Sequence, residues 1–276
     1  MPLLIYDTSA TSAAPLGSEY ALANRVFRYT KNGSGSLAVG IVLQAAQPNT
    51  SHDNLTCAAA AARATSITVT LGSAPVETNE YKGGYVFIND AAGQGYVYDI
   101  ISHPWALAAA TLKLDIRDDV IAALTTSSQA TLVKNIYSGA NKPGGDPWDI
   151  ILGVTPVPVP ANHYFWCQVC GPAAVLQSGG LFAGRGVMLS QQKPGAVEVL
   201  KQVIPVRRAT QETYSSDGME FQQKGVKSLP SKAGRTGDDE VLRDVAGEAT
   251  IPERVLGYCI NPRVSTEYAL VYLTIS

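Results

Sequence analysis

Charged residues are scarce in this sequence. Only 16% of its 276 residues are Asp, Glu, Lys or Arg, whereas about 25% is usual for a soluble domain. The 21 basic and 23 acidic side chains nearly balance, and the net charge is −2. Because binding through phosphate contacts needs a basic surface, this balance argues against nucleic acid and anionic membranes as partners.

Long apolar runs are also missing. No window approaches the ~20 apolar residues of a membrane-spanning helix. The opening stretch, MPLLIYDTSATSAAPLGSEY, has neither a basic start nor an apolar run of signal-peptide length. The sequence therefore predicts a chain that folds in a cytoplasm.

Cysteine is rare, and only Cys167 and Cys170 lie close together. They fall in HYFWCQVC, which is aromatic, apolar and typical of a β-strand. In a strand their sulfur atoms would point to opposite faces, with Cα atoms ~10 Å apart. That separation exceeds the ~7 Å limit for a disulfide and does not suit a shared metal ion. We therefore predict free structural thiols, no metal and no cofactor.

Catalytic motifs are absent as well. The sequence has no Gly-x-Ser-x-Gly elbow and no glycine loop followed by Gly-Lys-Ser/Thr. The three histidines, His52, His103 and His163, are widely separated. These absences predict a protein that is not an enzyme.

Glycine and proline are plentiful, with 25 and 16 residues respectively. Residues 25–45, RVFRYTKNGSGSLAVGIVLQA, predict a hairpin around an Asn-Gly-Ser-Gly turn. Residues 83–100, GGYVFINDAAGQGYVYDI, predict a second hairpin. We predict an all-β fold of short strands in a sandwich or barrel-like architecture, with one or two short helices and a long charged loop.

Alternating apolar residues identify the candidate core. Ile67, Val69 and Leu71 share one face of a strand, and Ala269, Val271, Leu273 and Ile275 share one face of the last. In HYFWCQV, residues 165 and 166 point to opposite faces and are both predicted to be buried. The candidate structural core is Phe165, Trp166, Cys167, Val169, Val271 and Leu273.

Helix and domain signals are weaker. Residues 115–128, DIRDDVIAALTTSS, predict a short amphipathic helix capped by Asp118 or Asp119. Residues 54–65, NLTCAAAAARAT, fit either a short helix or irregular structure. We divide the chain into β-rich regions 1–145 and 146–276, or treat it as one continuous domain.

The segment 207–254 differs from the remainder of the chain. Its 48 residues hold 8 basic and 9 acidic side chains and little periodic apolar pattern. A loop of this length in a compact domain is usually functional or mobile. It is either a solvated excursion or an arm that orders on a neighbouring subunit. The candidate interface residues are Arg207, Arg208, Lys224, Lys227, Lys232, Arg235, Asp238, Asp239 and Glu240.

Several motifs resemble one family of virus proteins. They include the Gly-Gly-Tyr-x-x-x-Asn-Asp…Gly-Gln-Gly-Tyr hairpin (83–96), the Asn-x-Tyr-x-Trp-x-Gln strand (162–168), GSGSLAVGIVLQAAQPN, AGRGVMLSQQKPGAVEV and the final VLGYCINPRVSTEYALVYLTIS. Together they resemble the head decoration, or capsid cement, proteins of tailed bacteriophages. The resemblance covers most of the chain outside residues 207–254.

The resemblance implies a non-enzymatic structural protein on the outer capsid surface of a virion, present in the host cytoplasm during assembly. The implied partners are the major capsid protein and further copies of the chain in a homotrimer. The protein would bridge capsid subunits and stabilise them. A tail or receptor-binding virion component is the alternative.

The charged segment yields a first prediction. We expect a deletion that joins Val206 to Val255 through a short Gly/Ser linker to leave the β core folded but to weaken binding to particles lacking the protein. Because an arm rich in both signs of charge pairs with a partner electrostatically, wild-type binding should also weaken with salt. The fraction of particle sites occupied by the wild type and by the deletion variant is measured at low and high salt. Equal occupancy throughout would show that the segment is only a solvated loop.

Overall fold

The computed structural model describes residues 4–144, 150–200, 255–265 and 267–275, which belong to one compact unit. The fold is all-β, as the sequence predicts. The described strands are β1 (Glu19–Leu22), β2 (Arg25–Asn32), β3 (Val42–Gln44), β4 (Leu55–Thr56), β5 (Ser66–Thr70), β6 (Tyr85–Asp90), β7 (Val97–Ser102), β8 (Thr111–Ile116), β9 (Gln129–Val133), β10 (Ser138–Ala140), β11 (Ile151–Val154), β12 (Tyr164–Leu176), β13 (Gly186–Leu189), β14 (Val197–Val199), β15 (Gly257–Asn261) and β16 (Tyr268–Thr274).

Six strands form a small barrel in the order β4-β9-β6-β7-β8-β5. The two end strands approach each other, because Cys57, just after β4, bridges to Val69 of β5. Alternate side chains of each strand point inward, as the sequence predicts for Ile67, Val69 and Leu71. The barrel interior is a continuous apolar core that also includes Tyr81, Val86, Tyr98, Leu112, Leu114 and Leu132.

The predicted hairpin of residues 83–100 is confirmed. Strands β6 and β7 pair antiparallel, with Phe87 opposite Val97. The turn between them uses positive φ angles at Ala91, Gly93 and Gly95. An added Cβ at Gly93 would lie 2.5 Å from the Leu124 side chain. Glycine is therefore required there by both backbone angle and space.

Ten strands form a larger sheet. Its main path is β1-β2-β12-β16-β15-β13-β14, with β10 beside β2 and with β11 between β12 and β3. The central strand β12 pairs with β2 along its first half and with β16 along its second half. Ala269, Val271, Leu273 and Ile275 are buried on one face of the last strand, as predicted.

The predicted hairpin of residues 25–45 is wrong. Both strands exist, but β2 pairs with β1, β10 and β12, whereas β3 pairs with β11. After the glycine-rich turn the chain does not return along β2, because Leu37 pairs with Val159 in an isolated β-bridge. The Asn32 amide group donates to the carbonyl oxygens of Gly35 (2.7 Å) and Pro160 (2.9 Å) and holds this crossing.

The predicted helix of residues 115–128 is also wrong, and of the two alternatives left open for residues 54–65 the helix is not formed. Segments 60–64 and 120–124 pair with each other: Leu124 N–H donates to Ala60 O at 2.8 Å, and Val120 N–H donates to Ala64 O at 2.8 Å. Burial of Val120 and Leu124 in the barrel core outweighs local helix propensity. In the described part of the chain the only helical element is a 3-10 turn, Thr50–His52.

The larger sheet combines both halves of the chain. Strands β2 and β3 precede residue 145, yet they pair with β12 and β11, which follow it. The barrel strands, residues 55–133, are inserted between β3 and β10 of this sheet. The predicted charged loop, 207–254, lies outside the described residues.

Aromatic residues on both faces of β12 are buried, as predicted, with Phe165 0% and Trp166 9% exposed. We expect Phe165→Ala and Trp166→Ala each to lower the free energy of unfolding by ~3–5 kcal/mol, since each leaves a cavity. Chemical and thermal unfolding measure the loss. The control is Tyr268→Ala, whose side chain is exposed on the neighbouring strand. If Trp166→Ala unfolds like this control, its face is an interface and not part of the core.

Candidate functional site: an uncharged aromatic sheet face

Strands β15 and β16 are apolar on both faces. Their inward residues, among them Cys259, Val271 and Leu273, belong to the core of the larger sheet. Apart from Asn261 and Thr274, their outward residues are also apolar or aromatic, and these are 39–52% exposed. We call the outward set the aromatic face; it consists of Tyr258, Ile260, Tyr268, Leu270 and Tyr272.

Register makes the aromatic face continuous. Tyr258 lies directly opposite Tyr272 in the β15–β16 pair. Across the β12–β16 pair, Tyr272 lies opposite Pro172 and Leu270 opposite Ala174. Directly opposed side chains have Cβ atoms about 4.5–5.5 Å apart, so they contact one another. The exposed residues therefore form one surface across three strands.

The first half of β12 is covered by another part of the chain. Phe27, Tyr29 and Trp166 are buried beneath the N-terminal segment, residues 4–18, which packs Ile5 and Leu16 against them. That segment is fixed by a hydrogen bond from Ala13 N–H to the Tyr29 hydroxyl (2.8 Å) and by a bridge between Ser9 and Tyr164. The register shift between Gln168 and Cys170 places Tyr272 and Leu270 on the side opposite to Trp166, so this segment does not cover the aromatic face.

Charged residues are absent from β15 and β16 and occur in the adjoining loops. The sequences of β15 and β16, GYCIN and YALVYLT, contain no charged residue. Exposed Arg185, Arg263 and Glu267 lie in the adjoining loops. Buried Gln177 holds the β15–β16 loop, because its amide group donates to Arg263 O at 2.6 Å and its carbonyl oxygen accepts from Arg263 N–H at 3.0 Å. An apolar centre within a charged rim is the usual anatomy of a protein–protein interface.

The candidate core residues are all buried but do not form one site. Phe165 and Cys167 belong to a cluster with Leu43 and Leu152. Trp166 lies in the cluster beneath the N-terminal segment, and Val271 and Leu273 lie in a third. Val169 is buried at an irregularity in the β2–β12 pairing. The nine charged candidates, from Arg207 to Glu240, fall outside the described residues.

Sequence reasoning missed the aromatic face although its signal is visible. In YALVYLT the residues between the buried ones are Tyr268, Leu270 and Tyr272, and these are apolar too. A final strand with large apolar or aromatic residues on both faces predicts that something covers both. The alternation pattern predicts burial for only one face of this strand, the face that packs in the core of the larger sheet.

Two buried histidines flank Tyr81 at one end of the barrel. His52 Nε2 lies 3.1 Å from Ala74 O and must donate, so Nδ1 accepts from the Tyr81 hydroxyl at 2.5 Å. His103 Nδ1 donates to Pro104 O at 2.9 Å, and its Nε2 accepts from Tyr81 N–H at 2.9 Å. Burial raises the pKa of Tyr81 far above the usual phenol range, with smaller contributions from Glu80 and Asp53. Each ring nitrogen of His52 and His103 therefore has a hydrogen-bond partner within the fold.

The described ranges, 4–144, 150–200, 255–265 and 267–275, lack the features of two other classes of site. They contain no group of three or more His, Cys, Asp or Glu side chains arranged to hold a metal ion. They also contain no helix long and apolar enough to cross a membrane. The chain matches no protein-family model, no curated protein and no solved structure.

The cysteines give a prediction about reactivity. Burial raises the pKa of the Cys57 thiol to about 11 and also raises the pKa of Cys167 and Cys259. A higher thiol pKa means less of the reactive thiolate near neutral pH. We expect a thiol reagent near pH 8 to modify half-buried Cys170 first in the native protein. All four thiols should titrate after unfolding without reductant.

The control for this experiment is Cys170→Ser, which should remove the fast native reaction. Loss of two thiols from the unfolded protein, traced to a Cys167–Cys170 disulfide, would contradict the strand assignment of this segment.

Proposed function

We propose that this chain is a non-enzymatic capsid decoration protein that docks on the major capsid protein of a phage head through its aromatic face. The single observation that carries the proposal is the row of five exposed apolar residues on β15 and β16. The resemblance of the sequence motifs to head decoration proteins is the reason for proposing a phage head as the partner. The low overall charge is consistent with a surface that neighbouring subunits cover.

The size of the face fits the core of an interface. Fully buried aromatic side chains remove about 150–250 Å² each from water, so five residues about half exposed offer roughly 400 Å². A standard interface buries about 800 Å² per partner. The aromatic face can therefore be the energetic centre, and the surrounding loops with Phe182 and Val264, 63% and 67% exposed, extend it.

The proposed assembly is a homotrimer bound where capsid subunits meet, on the outer surface of the virion. Bridging several subunits would stabilise the head against internal pressure without any chemistry. A tail or receptor-binding virion component is the second candidate, because exposed tyrosines are also typical of receptor-binding surfaces. The position of the protein's density in an image reconstruction of the particle separates the two.

The aromatic face gives a direct test. We expect Tyr258→Thr with Tyr272→Thr to lower particle affinity by about 30-fold or more, since truncating a central aromatic residue commonly costs ~2 kcal/mol or more. Threonine keeps β propensity, so the unfolding free energy should change little. Occupancy on particles lacking the protein is measured by titration.

The matched control is Tyr96→Thr, which changes a tyrosine of similar exposure, 37%, on the barrel. This variant should bind like the wild type. If the double variant occupies particles as fully as the control at every concentration, the aromatic face is not the docking surface.

A further inference from the structure

A wide groove separates the barrel from the larger sheet. Its volume is about 1110 Å³, which lies above the ~300–1,000 Å³ of pockets for drug-sized ligands. One wall is the barrel loop 77–83 with the adjoining ends of β6 and β7. The other wall is the end of β2, part of the N-terminal segment and Asn162. A groove of this size suits an extended ligand.

Charges in the groove nearly cancel. Its lining holds four cationic side chains, Lys31, Lys82, Arg117 and Lys134, and three carboxylates, Glu77, Glu80 and Asp99. Lys134 Nζ lies 2.6 Å from Glu80 Oε1, and Lys31 Nζ lies 5.6 Å above the Tyr164 ring. With an excess of only one positive charge, the groove favours an uncharged ligand over a phosphate chain.

An aromatic ring and a planar ion pair lie side by side on the barrel wall. Tyr85 is 40% exposed and directly opposite Asp99 in the β6–β7 pair. The Asp99 carboxylate contacts Arg117 Nε at 3.3 Å. This contact leaves both Nη groups of Arg117 available as donors. The Tyr85 ring can stack on the C–H face of a sugar while the neighbouring planar groups bind two adjacent hydroxyls.

The opposite wall adds a rigid ring and short polar groups. Tyr164 stacks on buried Tyr29, with ring centres 5.8 Å apart and planes 10° apart. Ser138 and the exposed Asn162 supply hydroxyl and amide groups beside it. Polar side chains therefore reach the groove from both sides, which suits a ligand with hydroxyls on all its edges.

We infer that this groove is a binding site for a neutral oligosaccharide, with Tyr85 as the stacking platform and Asp99 and Arg117 as the hydrogen-bonding pair. The inference concerns a surface other than the aromatic face and does not depend on the proposed capsid role.

The test uses the full chain and five neutral probes: maltohexaose, cellohexaose, xylohexaose, mannohexaose and chitohexaose. We expect saturable binding of at least one probe by calorimetry and saturation-transfer NMR. Tyr85→Ala should weaken that binding about tenfold or more, equivalent to ~1.4 kcal/mol of lost interaction. Asp99→Ala should weaken it as well.

Phe87→Ala is the matched control, because Phe87 is 38% exposed on the same strand and does not line the groove. It should bind the probe like the wild type, and thermal unfolding checks that all variants are folded. Binding of none of the five probes, or equal affinity of Tyr85→Ala and wild type, would overturn the inference. Tighter, salt-sensitive binding of polyphosphate would overturn it in favour of an anion site.

Discussion

The larger sheet depends on strand β12, because β12 is hydrogen-bonded along both edges and packed on both faces. Its edges pair with β2, β11 and β16, and its faces bury Phe165 on one side and Trp166 on the other. A strand in this position must be largely apolar, and its buried polar side chain, Gln168, donates to Cys170 O (3.1 Å) and Pro172 O (2.9 Å). That requirement explains the sequence YFWCQV and also the need for the N-terminal segment, which covers the Trp166 side.

The aromatic face follows from the same constraint. Strand β16 continues the sheet beside β12 and is largely apolar on both faces, but only its inward residues are packed in a core. One face of β16 is therefore buried, and the other stays partly exposed. An uncharged, partly exposed row of tyrosines is the surface that a partner subunit would complete, and this is the physical basis of the proposed docking role.

The barrel has a different relation to the sheet. Its strands close on themselves, so it has few free edges and its own apolar core. It joins the sheet through the chain segments before β4 and after β9, where Asn135 donates to Gly83 O at 2.9 Å. The groove exists because two separately packed bodies meet there. The polar, charge-balanced groove and the apolar aromatic face are thus suited to different ligands.

Local sequence determined the strands and their buried sides. Alternation at Ile67, Val69 and Leu71 and at Val271 and Leu273 predicts burial correctly, and the 83–100 hairpin is correct because its turn and arms are adjacent. Side-chain alternation is a property of a few consecutive residues, so no distant information is needed.

Tertiary structure alone decided which strands pair and which apolar faces stay exposed. Strands β2 and β3 take distant partners, and segments 60–64 and 120–124 pair because together they cover part of the barrel core. The exposure of Tyr258 and Tyr272 likewise depends on which segments pack over each face of the sheet. Strand pairing and the burial of each strand face depend on contacts between residues far apart in the chain. A local sequence pattern does not contain that information.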